Sequence, residues 1–300
     1  MIMRHIIPIS GKDSLATAII QHKINPDLDY ELMFNPTGEE PPIIFDWLKK
    51  VEEYFGKKIV HVGESLRDIV EFEMNWFLPS RNARYCTRMC KIEPMEKHIG
   101  DDLCTVYYGI RFDENRGGYV SKNGKNNITP AYPLKDSRIT IDGVYEVIKS
   151  VDLKPPTYFW NWLYDRVCSV ISKDLIASMF SEWQIDVIFA GRSRTNCSNC
   201  FNQRLYEWVW LLETYPDMFW NYESWEHNVS EYFFAGKGRS LKWIAEKAER
   251  IKENRAKKLI REILKKSQLK INFTFEDEED FDDDFIDVLS VTSCGLLCGK

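Results

Sequence analysis

The sequence predicts an α/β fold: a Rossmann-like, mostly parallel sheet with helices on both faces, followed by a mainly helical C-terminal part. Three observations carry this. Over the first 150 residues short apolar runs alternate with segments of helical spacing, the pattern of parallel strands joined by crossover helices. The first apolar run stops at Gly11, and Lys12, Asp13 and Ser14 follow where a helix should begin. From about Asp142 the strand-like runs end and long amphipathic stretches take over. We divide the chain into residues 1–150, an α/β domain; residues 151–272, a helical region containing Cys-x-x-Cys; and residues 273–300, an acidic segment with a cysteine-bearing tail.

In chain order, "HIIPI" reads as a strand and "SLATAIIQHK" as a helix capped by Ser14 or Asp13. "YELMFN" is a second strand ending in the turn "PTGEEPP". "IIFDWLKKVEEYFG" carries Ile44, Trp47, Leu48, Val51 and Phe55 on one helical face and stops at a glycine. "KIVHVG" is a third strand. "RYCTRMCKIEPMEKHIG" is helical from Lys91 or earlier, and "CTVYYGIR" is a fourth strand. In the second half, "YFWNWLYDRVCSVISKDLIASMFSEW" reads as one long aromatic segment. The stretch from Phe201 to Phe234 reads as one or two helices, and "SLKWIAEKAERIKENRAKKLIREILKKSQ" as one charged helix.

A chain of 300 residues buries a full core. A net charge of −6 does not mark the whole chain as a nucleic-acid binder. No apolar stretch reaches the length of a membrane span. The first apolar run is too short for a signal-peptide core and lacks a small-residue cleavage site. We therefore expect a cytoplasmic protein without a membrane, in which eight cysteines serve as metal or redox groups rather than disulfides.

The loop "ISGKDS" is not a Walker A motif, because Lys12 is followed by Asp13. It does lead into a helix N-terminus, whose free amides and dipole attract phosphate. Gly11 lets the backbone approach closely, and Lys12 neutralises phosphate charge. An aspartate beside bare phosphate would repel it. Beside a divalent cation it is useful, since Mg²⁺ takes one or two carboxylates together with phosphate oxygens. With hydroxyls at Ser10 and Ser14, the loop reads as a site for a magnesium-bound polyphosphate. The plain alternative is a strand-to-helix turn with an Asp/Ser cap.

Beyond this loop the sequence resembles the PAPS reductase-like family of the adenine nucleotide α-hydrolase (PP-loop ATP pyrophosphatase) superfamily. "ISGKDS" is similar to the family's Ser-Gly-Gly-x-Asp-Ser, with Ser10 in place of a glycine. "NPTGEEPP", "SRNARYCTRMCKIEP", "YYGIRFDENR", "AYPLKD" and "RTNCSNCF" resemble further family segments in the family's order, from Ile6 to Glu207. The resemblance implies an adenine nucleotide at the carboxyl ends of the strands. It implies that Arg111, Asp113, Glu114 and Arg116 face the phosphates, with arginine suited to them by its bidentate geometry. It also implies that Thr37 and Gly38 line the pocket. Taken without the family, these residues read as a solvated loop and a plain turn.

The superfamily's chemistry divides. One group cleaves ATP at the α-phosphate, adenylylating an acceptor with release of pyrophosphate, in sulfur transfer or in modification of nucleic acids or small molecules. Lys12 and Asp13 favour this group, with Mg²⁺ and Lys12 stabilising the departing pyrophosphate. The other group reduces a sulfonucleotide, PAPS or APS, through a C-terminal cysteine. "SCGLLCGK" resembles that terminus and makes Cys294 its candidate nucleophile, although Ser293 and Leu297 replace the family's Glu and His. A third reading is a non-catalytic nucleotide-binding regulator.

Cys197-Ser-Asn-Cys200 has metal-ligand spacing. Cys86 and Cys90, or Cys294 and Cys298, are candidates to complete a zinc site. The resemblance to iron–sulfur APS reductases instead implies a 4Fe–4S cluster on Cys86, Cys90, Cys197 and Cys200; a third possibility is no metal. Cys104 and Cys168 lie in apolar runs and read as core. From Lys242 to Lys270 basic residues far outnumber acidic ones, a candidate nucleic-acid surface. The alternatives are a solvated helix with pairs such as Glu253–Lys257, or a helix covered by the acidic run Glu276–Asp287. We also expect a homo-oligomer.

Overall fold

In the computed structural model, residues 3–120, 126–193, 195, 197–228, 233–236 and 238–267 are described. Five strands, β1 (Arg4–Pro8), β2 (Glu31–Phe34), β3 (Ile59–His61), β4 (Cys104–Tyr107) and β5 (Ile128–Ala131), form one sheet in the order β3-β2-β1-β4-β5. All four pairings are parallel, with Ile6 opposite Glu31 and Arg4 opposite Cys104. The strand order reverses at β1. Its carboxyl end therefore opens into the crevice where such sheets bind ligands.

The helices in chain order are α1 (Lys12–Ile24), α2 (Ile43–Phe55), α3 (Leu66–Asp68), α4 (Tyr85–Thr87), α5 (Glu93–Ile99), α6 (Pro133–Asp136) and α7 (Ile141–Lys149), then α8 (Asn161–Cys168), α9 (Lys173–Met179), α10 (Glu182–Ile188), α11 (Leu205–Thr214), α12 (Pro216–Glu226), α13 (Leu241–Glu246) and α14 (Ala248–Ser267). Widened π turns extend α3 through Glu73 and join α4 to α5 across Arg88–Ile92. The α2 helix ends as expected: Gly56, at φ 60°, takes the left-handed conformation that terminates helices.

Three expectations need correction. The fifth strand went unread because it contains Pro130, which cannot donate to a ladder. It is tolerated because β5 lies at the sheet edge, paired to β4 alone. The aromatic stretch after Tyr158 is three short helices, broken where Ser172 and Ser181 cap α9 and α10. The charged helix is broken at Lys247 into α13 and α14. The stretch from Phe201 gives two helices, split by Pro216 at the start of α12.

One apolar cluster runs from Ile7 in β1 to Leu264 in α14, through Trp208, Phe219 and Trp225. Most aromatics of the second half thus pack in or against this core, whereas Trp220 is exposed. No helix among the described residues is long and apolar enough to cross a membrane. Along α14, Lys252 and Arg255 are buried: Lys252 pairs with Glu213, and Arg255 lies over the Tyr206 ring. Glu253 reaches across to Arg166 rather than along its own helix to Lys257. Part of the expected basic surface is therefore internal. The acidic run, Cys294 and Cys298 lie outside the described residues.

Candidate functional site

A cavity of about 110 Å³ opens beyond the carboxyl end of β1. One wall is the loop Ser10–Ser14; another is Tyr107, Tyr108 and Gly109 at the end of β4. The remaining walls come from the helical half: the Lys154–Tyr158 segment, Asp186 of α10, and Arg192, Ser193 and Thr195. Tyr158 is at φ 52°, a left-handed conformation uncommon for a bulky residue, and its ring packs beside the Arg192 guanidinium.

The loop is fastened from within. Ser14 is not the cap but the third residue of α1. Its Oγ accepts from the N–H groups of Ser10 and Gly11 at 2.9 and 3.1 Å and donates to the Gly11 carbonyl at 2.9 Å. Gly11 itself is extended, a conformation open to any residue. What requires glycine is Thr195, whose Oγ1 would lie 2.3 Å from an added Cβ. At Gly109 an added Cβ would lie 2.7 Å from the main-chain carbon of Asp13 and the nitrogen of Ser14. The segment after β4 therefore presses directly on the first turn of α1.

Asp13 is 3% exposed and held between two cations: Arg111 Nη1 lies 3.1 Å from Oδ1, and Lys12 Nζ lies 3.5 Å from Oδ2. Arg111 also pairs with Asp113 at 3.0 Å and Glu114 at 3.2 Å, and Arg116 holds Glu114 from the other side at 2.5 Å. Burial pulls the Arg111 pKa down, but Asp13, Glu114 and Asp113 outweigh it and raise it. Tyr145 of α7 lines the same cavity; burial, then the charge of Asp13, pushes its phenol up.

Ser10, Gly11, Lys12, Asp13 and Ser14 all line this one cavity. Arg111, Asp113, Glu114 and Arg116 are not among its lining residues; Arg111 contacts Asp13, Asp113 and Glu114 pair with Arg111, and Arg116 pairs with Glu114. Thr37 and Gly38 do not line it either. Thr37 is buried, with its N–H and Oγ1 donating to the Glu40 carboxylate, and Gly38 sits at φ 83° in that turn. Sequence reasoning did not single out Tyr145, Lys154, Tyr158, Asp186, Arg192 and Thr195, which reach the site from the segments after β5; Thr195 alone lies in a quoted motif, "RTNCSNCF", where only the cysteines were read. Lys154 pairs with Asp186 across the mouth.

The four cysteines draw together from two segments. Cys197 and Cys200 hydrogen-bond each other, Cys86 interacts with Cys200 and Cys197, and Cys90 with Cys86. The bond to Cys200, then burial, holds the Cys197 thiol well above its usual range. Burial, then Cys86, pushes Cys90 up to about 12. Within the turn between the pair, Ser198 Oγ and both amide atoms of Asn199 are fully buried without a hydrogen-bond partner. Among the described residues, no three His, Cys, Asp or Glu side chains are arranged around a single metal-ion position. Cys104 is core; Cys168 is half-buried at the end of α8.

Residues 4–136 match the phosphoadenosine phosphosulfate reductase domain. Two uncharacterized proteins of Methanocaldococcus jannaschii are similar. One is 25% identical over 227 residues, 74% of this chain and 40% of that protein; the other is 24% identical over 217 residues, 70% and 44%. The chain spans less than half the length of these curated relatives. A crystal structure of phosphoadenylyl-sulfate (PAPS) reductase from Candida auris, in a phosphate complex, aligns with half of this chain and 73% of that one, at 17% identity and a TM-score of 0.37. Residues 4–136, which hold the all-parallel sheet and the loop at the strand-order reversal, thus match the phosphoadenosine phosphosulfate reductase domain, a family that belongs to the PP-loop adenine nucleotide α-hydrolase-like superfamily.

Proposed function

We propose that this protein binds Mg-ATP at the Ser10–Ser14 loop and cleaves it at the α-phosphate. The observation that carries the reading is Asp13: a nearly buried carboxylate, next to a lysine, in the first turn of a helix that faces the cavity. A carboxylate there opposes a bare anion but matches a divalent cation carried in with phosphate. Lys12 takes phosphate oxygens, and Arg111 orients Asp13 through their ion pair. An acceptor oxygen or sulfur attacks the α-phosphorus, the bond to the bridging oxygen breaks, and pyrophosphate leaves with the electron pair. Charge building on that group is stabilised by Lys12 and the first-turn amides. The test is pyrophosphate release from Mg-ATP with sulfide, thiol and tRNA acceptors. Asp13→Asn lowers it by roughly 100-fold or more; absence of release with every acceptor overturns the reading.

The domain match favours a second reading, reduction of PAPS or APS by Cys294. Thiol-dependent sulfite release that disappears in Cys294→Ser supports it; release that survives the substitution overturns it.

The cysteine group fits a 4Fe–4S cluster. Four thiols from two segments supply the donor set, and the orphaned Asn199 amide and Ser198 hydroxyl are donors waiting for an acceptor. Zinc is the alternative: the hydrogen bond between Cys197 and Cys200 holds those two sulfurs near the roughly 3.8 Å spacing of zinc ligands, from Zn–S bonds of about 2.3 Å, although among the described residues no three ligands meet at one ion position. A cluster on Cys86, Cys90, Cys197 and Cys200 supplies redox or structural chemistry, and the chain's part is to shield it.

A further inference from the structure

The cysteine turn and the phosphate loop are bound to each other. Thr195, two residues before Cys197, donates from Oγ1 to the Ser10 carbonyl at 2.7 Å. That carbonyl and the Gly11 N–H are opposite ends of one planar peptide. Fixing the oxygen fixes the N–H, which donates to Ser14 Oγ at 3.1 Å. Without the Thr195 hydroxyl this peptide has no anchor on its carbonyl side, and a flip would aim an oxygen where the loop now presents a donor.

The same turn is clasped at two further points. Arg192, buried in the cavity wall, donates from Nη2 to the Cys197 carbonyl at 2.6 Å. The Ser198 N–H donates to the Glu39 carbonyl at 2.6 Å, next to the Glu40 carboxylate that shapes the Thr37 turn. Gln203 closes the turn on itself by donating to the Ser198 carbonyl at 2.6 Å. The Cys197–Cys200 segment cannot move without pulling on the Ser10–Gly11 peptide.

We infer that Thr195 is a positioning residue that couples the Cys197–Cys200 turn to the phosphate loop, so that the order of the loop depends on the integrity of the cysteine turn. By linkage the dependence runs both ways: whatever the loop binds also steadies the turn. The coupling itself rests only on the free protein's geometry; its effect on nucleotide affinity rests on the function proposed above.

The test is amide hydrogen exchange of the full chain, read at residues 10–16, with α14 as the control for folding. In Thr195→Val exchange at residues 10–16 rises about fivefold, the weight of one hydrogen bond, while Thr195→Ser, which keeps the hydroxyl, matches wild type. The Cys197→Ser/Cys200→Ser double variant raises exchange at the same residues. Unchanged exchange at residues 10–16 in Thr195→Val, or equal acceleration in Thr195→Ser, overturns the positioning role. An unaffected loop in the cysteine double variant overturns the coupling. Should valine unfold the chain, Thr195→Ala takes its place. A parallel titration with Mg-ATP gives an affinity about fivefold weaker in Thr195→Val. If wild type binds neither ATP, APS nor PAPS, the nucleotide reading fails while the exchange measurement still decides the coupling.

Discussion

Arg111 and Asp13 meet at 3.1 Å although 98 residues of chain separate them, and both are nearly fully buried. The pair joins the segment after β4 to the first turn of α1, across the two strands that flank the strand-order reversal. Breaking it from the arginine side leaves Asp13 and Glu114 buried with less counter-charge. Arg111→Met is therefore expected to cost about 3–5 kcal/mol, read as a fall in urea midpoint. Because Arg111 does not line the cavity, Arg111→Lys recovers part of the stability.

Gly109 admits no side chain. An added Cβ would meet main-chain atoms of Asp13 and Ser14 at 2.7 Å, and main chain cannot swing aside as a flexible side chain can. Gly109→Ala is expected to displace the start of α1 and to lower both thermal stability and nucleotide binding. Gly117→Ala, where nothing lies within 4 Å, leaves both unchanged. The comparison of melting temperatures and ATP titrations for the two variants checks this.

Glu226 sets a pH dependence. Burial, opposed by the N–H groups of Leu241 and Phe234, pushes its carboxyl up to about 7 from the ordinary glutamate value of about 4.5. The folded state then binds a proton that the unfolded chain has lost. Its contribution to stability is present below about pH 4.5 and falls as pH rises to about 7, by up to about 1.4 kcal/mol per pH unit. Urea midpoints from pH 5 to 8 should decline more steeply in wild type than in Glu226→Gln.

Protein purified without oxygen should carry about four irons and as many sulfides per chain, with a visible absorbance band. Cys197→Ser, Cys200→Ser, Cys86→Ser and Cys90→Ser each reduce the iron content. Cys104→Ser, in the separate cluster around Val106 and Ile110, leaves it unchanged. One zinc and no iron would reverse the assignment.

What was legible in the sequence followed local rules. The strands β1 to β4 are apolar runs, α2 is a one-faced helix with a glycine stop, and the Ser10–Ser14 loop is a compact motif. Tyr145, Lys154, Arg192 and Thr195 were not legible as site residues, because each reaches the cavity through tertiary packing, and Thr195 lies in a motif whose spacing draws attention to its cysteines alone. Arg111 is expected from the resemblance to face phosphate, and in the fold its guanidinium lies against Asp13. Whether an arginine faces phosphate or a neighbouring carboxylate depends on which acid the fold brings beside it, and here that is Asp13. Ser14 was misread as a cap because Asp and Ser both favour that position, whereas the helix starts two residues earlier, at Lys12.

The hydrogen bond from Thr195 to Ser10 spans 185 positions of sequence. The apolar cluster likewise joins the first strand to the last helix. Contacts this distant form only after the intervening chain is in place, which makes assembly slow compared with folds built from neighbours. A nascent chain emerging from the ribosome would have its Ser10–Ser14 loop early, yet would gain a finished cavity only once the cysteine turn had been synthesised and docked. During that interval the loop lacks the wall that steadies it.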